Sequence, residues 1–85
     1  IVINVGDMLS RYTNNKLKST IHKVINPPKE LWKKSRYSIP FFLHPIGTMK
    51  LNVLDSCIDD ENPKKYDDIT AHDFLIQRLK DIGVL

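Results

Sequence analysis

The chain has 85 residues, of which 41% are apolar and 27% charged, and its formal net charge is +3. This length allows one small domain, which buries only about 60–65% of the surface that its unfolded form exposes. No apolar run approaches the roughly 20 residues that span a bilayer, and no stretch has the pattern of a signal peptide. The single cysteine, Cys57, excludes an internal disulfide and predicts a reducing, cytoplasmic location.

The charge is unevenly distributed along the chain. Residues 1–50 hold nine Lys or Arg against two acids, a net charge of +7, whereas residues 51–85 hold four against eight, a net charge of −4. A basic half suits anionic small molecules or nucleic acid. Charge on one half of a small domain is also common on an ordinary solvated surface, and we favour that interpretation.

The first part of the chain is predicted to form β-strands. Apolar or alternating runs, rich in β-branched residues and bounded by turn residues, indicate strands. The predicted strands are residues 1–5, 17–26, 36–43 and 49–54. Between the first two, Asp7 is predicted to cap a short helical turn that runs to Tyr12. Asn14 and Asn15 tolerate positive φ and are predicted to make a tight hairpin turn.

The last third is predicted to be a loop followed by a helix. Residues 55–69 are acidic and contain a proline, and they lack the ligand spacing and central glycine of an EF-hand, so we interpret them as a solvated connection. Apolar residues at helical spacing predict a helix near 70–82. Thr70 is its predicted N-cap, and Gly83 lies where a C-terminal cap belongs.

Three side chains in the predicted strands could form a site. Strand alternation places Arg36 and Ser38 on one face, and a guanidinium beside a hydroxyl suits a carboxylate. His22, on a neighbouring strand, is a candidate metal ligand. A lone histidine on a strand is more often structural, and an arginine is often a surface ion-pair partner, so the residues alone leave these alternatives open.

Two sequence runs resemble a known family. Residues 6–27 read G-D-M-L-S-R-Y-T-N-N-K-L-K-S-T-I-H-K-V-I-N-P, and residues 35–42 read S-R-Y-S-I-P-F-F. They resemble the C-terminal part of the non-haem iron dioxygenases that depend on 2-oxoglutarate, in the branch that contains isopenicillin N synthase. The resemblance implies a mainly β fold, part of a double-stranded β-helix (jelly roll), with a C-terminal α-helix packed outside it. Within such a domain, residues 1–54 would supply strands, 55–69 the acidic loop and 70–85 the helix.

The resemblance also implies roles for the three candidate residues. In this family a His-x-Asp pair and a distal histidine hold Fe(II), and an Arg-x-Ser pair binds the 2-oxoglutarate carboxylate. His22 matches the distal histidine, and Arg36 and Ser38 match the Arg-x-Ser pair. The implied activity is oxidation of a small molecule by dioxygen, coupled to conversion of 2-oxoglutarate to succinate and carbon dioxide. In some members of the branch the Arg-x-Ser pair holds a substrate carboxylate instead.

The chain lacks part of the family's iron site. No His-x-Asp or His-x-Glu occurs in it, so it supplies one of the three ligands. We therefore expect a C-terminal piece of a longer enzyme, with its two other iron ligands elsewhere. As an isolated piece it should be inert, and its open strand edges should make it self-associate or leave it partly disordered.

Two interpretations compete with an oxygenase. Trp32 lies among Lys29, Lys33 and Lys34, and such a group can stack on a base and contact phosphates, as in a small basic nucleic-acid-binding module. A tryptophan in this setting more often packs against its domain while the lysines face water, and we favour that arrangement. The other alternative is a structural or oligomerising unit that has no activity. Under each of these interpretations we expect no contact with a membrane.

Overall fold

Helices at the two ends carry most of the regular structure, in a computed structural model that describes residues 1–85. The regular elements are α1 (Asp7–Tyr12), a 3₁₀ turn (Lys29–Leu31), a second 3₁₀ turn (Asp55–Cys57) and α2 (Ala71–Asp81). The one β pairing is an isolated antiparallel bridge between Lys50 and Thr70. Neither helix is long and apolar enough to cross a membrane.

Both ends of α2 are capped as the sequence predicts. The Thr70 side chain accepts a hydrogen bond from the backbone N–H of Asp73 at 3.2 Å. At the other end Gly83 has a φ of 82°, a left-handed conformation that glycine adopts without a steric penalty. This lets the Val84 N–H donate to the Leu79 carbonyl at 3.0 Å, as in a Schellman motif. The predicted helix, its N-cap and its terminal glycine are therefore confirmed.

The end of α1 turns through two asparagines. Asn14 and Asn15 have φ values of 53° and 64°, so their predicted positive φ is confirmed. The turn does not close a hairpin, because the segment after it pairs with no strand. Asp7 lies inside α1 rather than capping it, and Gly6 is the N-cap without a side-chain hydrogen bond.

All eight buried residues lie in one region, which we call the helical unit (residues 6–16 and 47–83). Its apolar core is Leu51, Ala71 and Phe74, with Met8, Met49 and Ile69 packed against it. Two backbone bonds flank the isolated bridge: the Leu51 N–H donates to Ile69 at 2.7 Å, and the Ala71 N–H donates to Met49 at 2.8 Å. The start of α2 is thereby held beside residues 49–51.

The most completely buried polar group is the Asn14 side chain, which is 0% exposed. Its Nδ2 donates to the carbonyls of Cys57, Asn62 and Pro63 at 3.3, 3.2 and 3.0 Å. Its Oδ1 accepts from the Lys65 N–H at 2.9 Å. The Asn62 side chain donates in return to the Asn14 carbonyl at 3.2 Å. One carboxamide thus joins the end of α1 to the loop that precedes α2.

Residues 17–46 form a separate feature, the extended arm. Apart from Ser19 and Pro45, every residue in the arm is exposed. No backbone-to-backbone hydrogen bond involves residues 17–27 or 35–45. The arm makes the chain long: the radius of gyration is 16.7 Å, whereas a compact domain of this length has about 12 Å.

The prediction of a mainly β, jelly-roll fragment is wrong for this chain, which contains no strand or sheet. Apolar alternation shows that a segment suits a pleated surface, but it does not supply a partner in register. The nine-residue connection 27–35 contains two prolines and a 3₁₀ turn, and it is not the two-residue turn that sets hairpin register. Residues 1–5, 17–26 and 36–43 therefore stay unpaired.

The predicted strand at 49–54 is also wrong, because only one residue of this segment, Lys50, forms a β-bridge. Its pairing stops at Lys50 and Thr70, because α2 begins at Ala71 and a helical backbone cannot continue the ladder. On the other side, the chain enters the 3₁₀ turn at Asp55.

Replacing Asn14 by glycine should destabilise the helical unit. Glycine keeps the positive φ but removes the side-chain hydrogen bonds to four backbone groups, and it leaves the Lys65 N–H without its acceptor. We expect a loss of about 2–3 kcal/mol in the free energy of unfolding, measured by urea denaturation.

Asn52→Gly is the matched control, because Asn52 is exposed and makes no side-chain hydrogen bond. At its ordinary φ, Asn52→Gly carries a backbone-entropy cost of about 0.5–1 kcal/mol without the loss of a buried network. Equal destabilisation by the two variants would contradict the role assigned to the Asn14 carboxamide.

Candidate functional site

The three predicted site residues, His22, Arg36 and Ser38, all lie on the extended arm and are exposed. Arg36 takes part in no ion pair, so its alternative role as a surface ion-pair partner is not realised within this chain. Its positive charge and its N–H groups are therefore available to a ligand.

The His22 ring has a defined tautomer. Its Nδ1 lies 2.8 Å from the Thr20 carbonyl oxygen. A carbonyl oxygen can only accept, so the Nδ1–H is the donor, and in the neutral ring the lone pair is on Nε2. Histidines that bind metals often hold the other ring nitrogen in such a bond. His22 thus fits the requirements for a single metal ligand.

A complete metal site does not form within this chain. No group of three His, Cys, Asp or Glu side chains is placed to hold a metal ion. The sequence likewise contains no His-x-Asp or His-x-Glu. The donor set on this chain fits one position in a coordination sphere, and further ligands would have to come from outside these residues.

Arg36 borders a surface hollow of about 310 Å³ that is formed by residues 26–36 of the arm. The lining residues are Asn26, Pro27, Leu31, Trp32, Lys34 and Arg36. The hollow brings Arg36 together with Lys34 and Trp32, while His22 and Ser38 lie outside it. Lys34 was not among the predicted site residues, because its place on the hollow depends on the turns of residues 29–34, which no sequence motif records.

Trp32 is held within its own loop. Its indole N–H donates to the Pro27 carbonyl at 2.7 Å, and the Lys29 ammonium lies 5.9 Å from the ring centroid. The side chain is 58% exposed. The prediction that Trp32 packs against the domain is therefore wrong, because the loop carrying it folds on itself, away from the buried residues of the helical unit.

A second hollow, of about 250 Å³, lies between α1 and α2. The Arg11 guanidinium is 5.0 Å from the Tyr66 ring centroid and 5.2 Å from that of Phe74, and Arg78 pairs with Asp7 at 2.9 Å. The Arg11 Nε is buried without a partner, so a molecule in the hollow could not reach it. These cations serve the packing of the two helices.

Comparison with known proteins identifies the family. The sequence model of the 2OG-Fe(II) oxygenase superfamily matches residues 1–45, which is more than half of the chain. The chain belongs to the 2OG-Fe(II) oxygenase superfamily. Members of this superfamily use Fe(II) and 2-oxoglutarate. The matched residues include His22, Arg36 and Ser38.

Individual relatives agree with this assignment. The chain is 32% identical over 82 residues to kihadalactone A synthase LFS of Citrus sinensis, covering 96% of this chain and 23% of that protein. It is 35% identical over 82 residues to the 2-oxoglutarate-Fe(II) type oxidoreductase ppzC of Metarhizium majus, covering 95% and 21%. The chain therefore spans about a quarter of the length of the curated relatives that it matches.

A solved structure shares the conformation as well as the sequence. A crystal structure of a 2OG-Fe(II) oxygenase family protein from Caulobacter crescentus superimposes with a TM-score of 0.89 and 51% identity. The match covers 94% of this chain and 27% of that one. Because it covers nearly the whole chain, it includes the extended arm, whose course therefore recurs in a much longer protein of this family.

The His22 tautomer can be tested directly. With the imidazole neutral, we expect a long-range proton–nitrogen NMR spectrum to show the proton on Nδ1 of His22, because the Thr20 carbonyl accepts it. His72 is exposed and its ring makes no hydrogen bond, so it serves as the internal control. Identical tautomer patterns for the two histidines would contradict the assignment.

Proposed function

We propose that this chain is the C-terminal portion of an Fe(II)- and 2-oxoglutarate-dependent oxygenase that oxidises a small molecule. The observation that carries the proposal is the family match over residues 1–45, because that segment contains every candidate site residue. The relatives are about four times as long, which supports a site completed by residues outside this chain.

His22 is proposed as the distal iron ligand, acting through Nε2. The Thr20 carbonyl holds the Nδ1–H and so selects the tautomer that presents the Nε2 lone pair. A histidine whose ring orientation is fixed before binding loses less freedom when it binds a metal. One imidazole does not hold Fe(II) firmly, since oxygenases of this kind use two histidines and a carboxylate.

Arg36 and Ser38 are proposed to hold the distal carboxylate of 2-oxoglutarate. The planar guanidinium can donate to both carboxylate oxygens, and the hydroxyl can donate to one of them. Arg36 makes no ion pair that a ligand would have to displace. When bound, the iron would supply the activation of dioxygen, and the protein's part is to fix the co-substrate beside it.

The apolar side chains of the arm need cover that this chain does not provide. Ile21 is 99% exposed, Ile39 92% and Phe41 85%. Burying such residues stabilises a protein by about 1.5–3 kcal/mol each. We propose that further polypeptide of the oxygenase covers the arm, and that these 85 residues alone are catalytically inert.

A second candidate function rests on the exposed Trp32. An exposed tryptophan with Lys29 at 5.9 Å and Lys34 on the same hollow could stack on a base and contact phosphates. Binding of single-stranded nucleic acid that weakens steeply with salt would favour this function. Iron-dependent conversion of 2-oxoglutarate to succinate by the intact protein would favour the oxygenase.

The Arg36→Lys variant of the intact oxygenase tests the carboxylate site. Lysine keeps the charge but replaces a two-pronged contact by a single point of contact. Losing a charge-assisted hydrogen bond of about 1.5–3 kcal/mol predicts roughly 10- to 100-fold weaker binding of 2-oxoglutarate, measured by calorimetry without oxygen.

Tyr37→Phe is the control for this substitution, since it alters the residue between Arg36 and Ser38 without removing a charge. Its affinity for 2-oxoglutarate should stay close to that of the unaltered protein. An unchanged affinity in Arg36→Lys would show that this residue does not bind the co-substrate.

The isolated 85-residue chain should self-associate, because the arm presents unpaired backbone and large apolar side chains. Sedimentation should show a mass that rises with concentration. A chain with Ile39→Lys and Phe41→Lys should associate less, since two charges oppose apolar contact. If sedimentation shows the isolated chain to be a monomer at every concentration, the proposal that the arm presents open backbone edges is contradicted.

A further inference from the structure

Arg36 is not the only cation on its hollow. Lys34 lines the same space, two residues earlier in the chain, whereas its neighbour Lys33 does not. The remaining lining residues are uncharged: Asn26, Pro27, Leu31 and Trp32. The hollow therefore carries two positive charges and no negative one.

Neither charge is neutralised within the chain. The three salt bridges involve Lys64 and Arg78, and none involves Lys34 or Arg36. Glu30 is the one acidic residue of the arm, and it does not line the hollow. Two uncompensated cations on one concave surface create a positive potential that favours an anion.

Backbone bonds hold Lys34 in this place. The Trp32 N–H donates to Lys29 at 3.2 Å and the Lys34 N–H donates to Leu31 at 3.1 Å, which folds residues 29–34 into successive turns. The Trp32 indole then ties this turn back to the Pro27 carbonyl at 2.7 Å. Lys34 thus reaches the hollow through the fold of the loop, and its ammonium has no partner to give up.

We propose that Lys34 is a second cation of the carboxylate-binding site, and that it strengthens the binding of the distal carboxylate of 2-oxoglutarate beside Arg36. This inference rests on the proposed function of Arg36. Lys34 acts through charge, since a lysine ammonium is a mobile point charge, while Arg36 supplies the directed contact. The affinity for a 2-oxo acid that lacks the distal carboxylate should not depend on Lys34.

The test compares Lys34→Gln with Lys33→Gln in the intact, Fe(II)-loaded oxygenase, using calorimetry without oxygen. Both variants remove one positive charge from adjacent positions, but only Lys34 lines the hollow. We expect Lys34→Gln to weaken 2-oxoglutarate binding about two- to fivefold, the range of a partly exposed charge pair. Lys33→Gln should leave it nearly unchanged.

A second ligand shows whether Lys34 affects only the distal carboxylate or the binding of 2-oxo acids in general. Binding of 2-oxopentanoate, which has a methyl group where 2-oxoglutarate has its distal carboxylate, should be equal in the unaltered protein and in Lys34→Gln. Equal effects of the two lysine variants on 2-oxoglutarate, or an equal loss for both ligands in Lys34→Gln, would overturn the proposal.

Arg36→Gln distinguishes a failure of the role proposed for Lys34 from a failure of the proposed carboxylate site. If Arg36→Gln weakens binding of 2-oxoglutarate and Lys34→Gln does not, the carboxylate site stands and only the role of Lys34 is wrong. If Arg36→Gln also binds normally, the proposed function of Arg36 fails, and the role of Lys34 fails with it.

Discussion

The buried Asn14 carboxamide is the contact on which the order of this chain depends. It donates to three carbonyls and accepts from the Lys65 N–H, and it does so from a backbone with positive φ. A buried carboxamide that is fully hydrogen-bonded stabilises a unique arrangement, whereas a partly bonded one is costly. Since only five apolar residues are buried, and only Leu51, Ala71 and Phe74 of them form one cluster, this polar network carries much of the specificity that a larger core would provide.

The same network determines where the arm begins. The chain leaves the helical unit after Lys16, and it returns at Gly47, whose carbonyl accepts from the His72 N–H at 3.0 Å. Between these two points the arm is shaped by short-range bonds alone, such as that from Trp32 to Pro27. Hydrogen bonds within the loop therefore fix the local geometry of a site on the arm. The position of the arm relative to the helical unit is set at the two points where the chain leaves that unit and returns to it.

Local features of this fold were predictable from sequence, and long-range ones were not. The N-cap at Thr70 and the terminal Gly83 depend on a few neighbouring residues, so the local sequence pattern was enough to predict them. The strands were predicted wrongly because a strand exists only with a partner, and residues 17–26 have none in this chain. For the site, His22, Arg36 and Ser38 follow from the resemblance, but Lys34 on the Arg36 hollow depends on turns that no motif records.

Charge links the arm to its proposed ligand. The arm holds six Lys or Arg and one acid, Glu30, and none of these cations forms an ion pair. Covering such a surface with polypeptide removes water from cations, which is costly unless each finds an anion. A carboxylate bound beside Arg36 and Lys34 would supply that anion on the hollow that both residues line. The proposed co-substrate would then contribute to the packing of the arm as well as to the reaction, because it neutralises charge that opposes burial.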